Sequence, residues 1–172
     1  MTSAHTHAHP VGRLVDGYDP DGEVELEGYA GSLTTYGLVL AGIAAAGSAS
    51  GHHLAERYDL ADIALGGLAV HKFTRLVSRS SVAAPVRAPF TRFEGAAGSG
   101  EHVESAREDD GRLRATIGKL ITCPFCLGVW VGTAYIAGLN LAPRPTRAWA
   151  ALFAVTALSD TLQHAYSRLR GD

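Results

Sequence analysis

Cysteine is scarce in this chain: of 172 residues only Cys123 and Cys126 carry a thiol. Two cysteines cannot build a disulfide scaffold, so the CxxC pair reads as reduced thiols, a redox couple or part of a metal site. A basic start followed by an early hydrophobic run is also missing, and no cleaved export signal is expected. The formal net charge is −2, which supplies no electrostatic footprint for nucleic-acid binding. GxSxG, Walker, HExxH and dinucleotide-binding fingerprints do not occur, and nothing in the motifs marks an enzyme.

What is present is an uneven distribution of charge. A mean hydropathy of +0.07 and 19% charged residues look like a soluble protein, but the charge collects in two places. One is an acidic arm with Asp16, Asp19, Asp21, Glu23, Glu25 and Glu27; the other runs from Ser78 to Lys119. Four apolar segments remain, at residues 33–50, 60–77, 121–142 and 148–166. The third is the cleanest, with no charged residue from Ile121 to Ala142 and with Pro124 placed for a first helical turn. From Pro124 to Ala142 at ~1.5 Å per residue, such a helix nearly matches the ~30 Å hydrocarbon core of a bilayer.

The fold class expected is therefore all-α, an integral membrane bundle of four transmembrane helices with a long cytoplasmic loop at 78–119. Residues 1–28 are expected to be a disordered acidic arm, and its His5, His7 and His9 are taken as incidental. The membrane domain is assigned to 29–172, with a Pro143–Arg147 turn separating the last two spans. Arg79, Arg87, Arg92, Arg107, Arg112, Arg114 and Lys119 lie in the long loop, against Arg57 and then Arg144 and Arg147 in the two short connections. The positive-inside rule then puts the loop and both termini in the cytoplasm of a bacterial inner membrane.

Three residue blocks, His71-Lys-Phe-Thr-Arg75-Leu, Val86-Arg-Ala-Pro-Phe-Thr-Arg-Phe-Glu-Gly95 and Thr122-Cys-Pro-Phe-Cys-Leu-Gly-Val-Trp130, occur in that order. Together they resemble a family of small bacterial multi-pass membrane proteins catalogued as domain of unknown function 1360, over roughly Leu60 to Arg168. The resemblance implies a membrane location and brings no activity, substrate or catalytic residue with it.

Polar side chains in apolar segments are costly and mark either a site or an internal ion pair. Asp160 is expected to pair with Lys72 or Arg75, holding the second and fourth helices together. Cys123 and Cys126, three apart, share a helix face and could serve thiol chemistry; with His71 and His164 they would complete a Cys2His2 set of the size a structural zinc needs. Arg87 and Arg92, interleaved with Phe90 and Phe93, are expected to contact anionic lipid headgroups. The functional expectation is a structural or interaction component of the membrane, with a protein partner at the loop or self-association. A membrane thiol-redox protein using the Cys123/Cys126 pair, or a metal-binding membrane protein, is the alternative.

Overall fold

In a computed structural model the described residues are 18, 26–51, 55, 57–109 and 111–171. His5, His7, His9 and nearly all of the acidic arm lie outside them. Among the described residues the elements follow in the order α1 (Leu26–Ala49), α2 (Leu60–Arg79), a 3-10 turn (Ser81–Ala83), α3 (Ala84–Arg87), β1 (Thr91–Gly98), β2 (Glu101–Ala106), α4 (Arg112–Thr122), α5 (Pro124–Leu141) and α6 (Pro143–Arg170).

Two features overturn the expected four-span all-α bundle. Among the described residues only α1, over Gly28–Ala49, and α5 are long and apolar enough to cross a membrane. Helix α2 carries Asp62, His71, Lys72, Arg75 and Arg79, and α6 carries Arg144, Arg147, Asp160, Arg168 and Arg170; this charge lowers their apolar content and is used in packing them together. The second correction is the loop, which folds as a two-stranded antiparallel sheet followed by α4. The Pro143–Arg147 stretch is likewise no turn. Proline is tolerated in a first helical turn, and Pro143 begins α6 directly after Ala142.

Helices α2 and α6 pack through small residues. Ala69, Ala150, Ala154 and Ala157 are buried, so the backbones approach closely, and Phe73 meets Trp149 and Phe153 edge-on at 5.5 and 5.1 Å. Helix α5 joins them through Tyr135 and Leu139, which complete the core with Ala69 and Ala150. The Tyr135 hydroxyl donates to the Asp62 carbonyl at 2.8 Å. At the same end Arg147 clasps the Asp62 carboxylate with both Nε (2.8 Å) and Nη2 (2.7 Å).

Helix α1 lies beside α5. Tyr36 and Thr133 share a hydroxyl hydrogen bond of 2.8 Å, and Tyr36 meets the Trp130 ring edge-on at 5.2 Å. Its Thr34, Thr35, Ser48 and Ser50 hydroxyls donate to carbonyls four residues earlier, at 2.6 to 2.9 Å. Those polar groups are thus satisfied inside the helix, as an apolar surrounding demands.

Gly66 shows how tight the α2–α5 contact is. A Cβ built there would lie 2.1 Å from Tyr135 Cε1, whereas one on the adjacent Gly67 would meet nothing within 4 Å. Overpacking of this kind typically costs ~1–3 kcal/mol, while Gly to Ala on an open helix face gains up to about 1 kcal/mol. Gly66→Ala is therefore expected to lower the thermal midpoint in detergent and Gly67→Ala to leave it unchanged or raise it. Equal midpoints for the two variants would refute the close α2–α5 approach.

Candidate functional site

The connection between α2 and α5 is organised by Arg87. Its side chain is 0% exposed and that of Glu104 5%, and the two form a bidentate pair, Nε to Oε2 at 2.9 Å and Nη2 to Oε1 at 2.6 Å. Nη1 donates to the carbonyls of Val77 and Ser80 at 2.8 and 2.9 Å, which ties the end of α2 to the sheet. Thr91 Oγ1 adds a 2.7 Å bond to Glu104 Oε2. The Arg87 guanidinium beside it holds the Glu104 carboxyl below its ordinary value of 4.5, and the Thr91 hydroxyl adds to that effect.

The strands pair from Thr91↔Ala106 to Gly98↔Glu101, with irregularities between Phe93 and Gly95 and between Ala96 and Gly98. Ser99 and Gly100 turn the chain with φ of 48° and 72°, the positive values that a two-residue hairpin turn requires at both positions. Arg107 Nε donates to the Thr91 carbonyl at 2.9 Å. Helix α4 closes on the sheet at Gly118, where a Cβ would lie 2.5 Å from the Phe90 carbonyl oxygen.

Two clefts open beside this cap. The first, about 630 Å³, lies between α2, α6 and the hairpin turn and is lined by His71, Lys72, Arg75, Glu101, Asp160 and His164 among others. Lys72 pairs with Asp160. Arg75 makes a bidentate pair with Glu101 at 2.7 and 2.8 Å instead of reaching Asp160. Asp160 is 47% exposed, so water screens its pair with Lys72; the contribution is about 1 kcal/mol or less rather than that of a buried pair.

The second cleft, about 460 Å³, lies between α1, α4 and α5. Its lining includes Tyr29, Leu33, Tyr36, Cys123, Cys126 and Trp130. The two sulfurs are at disulfide distance, with Cα atoms 5.3 Å apart. Cys123 caps α5, its Sγ accepting the Cys126 N–H at 3.2 Å.

The expected site residues are thus distributed over three places. His71 and His164 stand in the first cleft and Cys123 and Cys126 in the second, so the Cys2His2 set is not brought together. Among the described residues no three His, Cys, Asp or Glu side chains are grouped to hold a metal ion. Of the two arginines expected at lipid headgroups, Arg87 is buried and Arg92 is on the surface, paired with Asp109. Glu101 and Glu104 were missed by sequence reasoning. The signal available for them was the Gly98-Ser-Gly100 turn between TRFEGAA and EHVESA, whose Thr, Phe and Val residues suit paired strands.

Fold and site together define a helical protein with an apolar helix pair and an ion-paired hairpin cap at one end. The family model described as protein of unknown function (DUF1360) matches residues 65–166, more than half of the chain, and the chain belongs to that family. The match begins within α2 and ends within α6, taking in the cap and both cysteines but not α1. No curated protein and no solved structure matches the chain.

Breaking one side of a buried pair typically costs ~3–5 kcal/mol, because the remaining charge is stranded. Glu104→Gln is expected to lower the thermal midpoint sharply, and Arg87→Met with Glu104→Leu to recover part of the loss. Because folding depresses the Glu104 pKa, its contribution is complete above its unfolded value near 4.5 and is lost as pH falls through the lower folded value. Thermal midpoints measured from pH 7 down to 3 should drop below about pH 4.5 in the native chain and drop less in Glu104→Gln. Identical acid profiles would reject this assignment.

Proposed function

We propose that the protein is a structural or interaction component of the bacterial inner membrane, with α1 and α5 facing lipid and the hairpin cap projecting beyond it. The observation that carries this reading is the exposure of the two apolar helices. None of the apolar window in α1 and only 6% of that in α5 is buried, whereas the core helix of a soluble protein would be mostly covered. Leu33, Leu38, Phe125 and Val129 stand outward, and leaving such area in water forfeits ~25 cal/mol per Å².

A bilayer fits this face in length as well as chemistry. The apolar stretches are 22 and 18 residues long, or about 33 and 27 Å at ~1.5 Å per residue, close to the ~30 Å hydrocarbon thickness. The back-bonded hydroxyls of α1 need no water. The native chain should remain with membranes through alkaline carbonate washing, and Leu38→Asp with Val129→Asp should weaken that retention severalfold. Recovery of the folded native chain in the soluble fraction would overturn the reading.

The orientation we propose puts the cap and both termini in the cytoplasm. Basic residues concentrate between α2 and α5, and the start of α1 and the end of α6 lie at the cap end, beside Cys123 and the hairpin turn respectively. On this reading the exposed Arg92, paired with Asp109, would meet anionic headgroups, and the cap would be the surface for a partner protein. In a cysteine-free variant carrying Ser99→Cys, an impermeant maleimide added to intact cells should not label the chain. Labelling from outside would invert the orientation.

A second reading, a membrane thiol-redox protein, is favoured by one observation: Cys123 and Cys126 are at disulfide distance on the wall of an apolar cleft.

A further inference from the structure

We infer that the cleft beside Cys123 and Cys126 binds a lipophilic quinone, which the dithiol form of the pair reduces to hydroquinone. The inference rests on the thiol-redox reading and names its electron acceptor.

The chemistry of the cleft narrows the acceptor. Tyr29, Leu33, Tyr36, Leu120, Val129 and Trp130 make its wall mainly apolar, with Ser32, Thr116 and Lys119 as its polar members, which favours an apolar acceptor over a hydrophilic one. Its volume of about 460 Å³ is in the ~300–1,000 Å³ range of small-molecule sites. Trp130, held edge-on by Tyr36, offers an aromatic wall to a flat ring. The cleft also lies between α1 and α5, the two helices whose apolar faces are uncovered, so a molecule dissolved in lipid reaches it without crossing the polar cap. A lipid-soluble, flat acceptor of two electrons and two protons is a quinone.

The two sulfurs are not equivalent. Cys123 Sγ accepts the Cys126 N–H and sits at the start of α5. Cys126 is the more exposed of the two. The Cys123 thiolate adds to a ring carbon of the quinone, forming a C–S bond. The Cys126 sulfur then attacks Cys123 Sγ, so that the S–S bond forms, the C–S bond breaks and its electron pair returns to the ring. The two protons of the dithiol end on the two quinone oxygens, and the products are one disulfide and one hydroquinone. Reduction of the disulfide by a second thiol would restore the dithiol by ordinary exchange.

The test uses the full chain in detergent, reduced and freed of reductant, mixed with a short-tailed benzoquinone. Quinone absorbance should fall by one equivalent per chain while maleimide mass tags fall from two to none. Cys126→Ser should stop at the Cys123 adduct, one quinone heavier by mass spectrometry, with no hydroquinone released. Ser32 lines the same cleft on a helix with no buried residue among those described, so Ser32→Phe fills the space without disturbing a core. That variant should react with the quinone at least tenfold more slowly, yet be oxidised by diamide, a small water-soluble reagent, at the native rate. Equal slowing with both oxidants, or a native chain that diamide oxidises while the quinone stays unreduced, would overturn the acceptor assignment. A chain that diamide cannot oxidise would instead reject the redox reading itself. Because the reaction is read in detergent, none of these results depends on membrane retention.

Discussion

A guanidinium with no exposure to water survives in this protein because four hydrogen bonds converge on it. Arg87 meets both oxygens of Glu104 and two carbonyls from the end of α2, and the Thr91 hydroxyl binds the Arg87 carbonyl and Glu104 in turn. Those bonds come from α2, β1 and β2, so the buried charge is neutralised only when all three elements are in place. The cap has few large buried apolar residues to hold it; Ala83 and Ala115 are small. Its shape is therefore set by directional polar contacts more than by apolar burial, and a two-stranded hairpin, marginal alone, is stabilised by them.

The same logic runs along the α2–α6 pair. Asp62 and Arg147 close one end, while Lys72 with Asp160 and Arg75 with Glu101 close the other, next to the hairpin turn. Between them alanine and glycine let the helices touch. Five of the charges that keep α2 and α6 below the composition of a membrane-crossing helix, Asp62, Lys72, Arg75, Arg147 and Asp160, join them to each other and to the cap. Apolar area is left uncovered on α1 and α5 instead, and it is on that side that a bilayer fits.

Chain direction decides which reactive groups meet. Helices α2 and α6 both run away from the Asp62–Arg147 end towards the cap, and α5 runs back, so its first residues lie at the cap end as well. Yet Cys123 and Cys126 face α1, whereas His71 and His164 face the space between α2 and α6. Similar depth did not produce a common site, because one set lines the cleft between α1, α4 and α5 and the other the cleft between α2, α6 and the hairpin turn. The cysteine cleft also takes one wall from α1, outside the segment that the family model covers.

Much of the helical framework was legible without coordinates. The uncharged run from Ile121 to Ala142 implied α5, Pro124 marked its first turn, and the scarcity of aspartate and lysine in residues 33–50 marked α1, because helices in apolar surroundings must exclude charge. The need of a charge in an apolar segment for a partner pointed from Asp160 to Lys72 or Arg75, and the structure pairs it with Lys72 while Arg75 goes to Glu101. Hidden in the sequence was the hairpin, since TRFEGAA and EHVESA are short, lie in a stretch broken by Gly95, Gly98 and Gly100 and carry three glutamates, and their pairing depends on a two-residue turn and on a cross-strand glutamate for Arg87. Arg87 itself reads as a surface residue until Glu104 is known to face it, and burial of a charge is a property of the pair. Whether α2 and α6 meet lipid or each other is likewise absent from their composition; tertiary structure settled that their charges bind across the helix pair, because an ion pair takes its geometry from two distant parts of the chain at once.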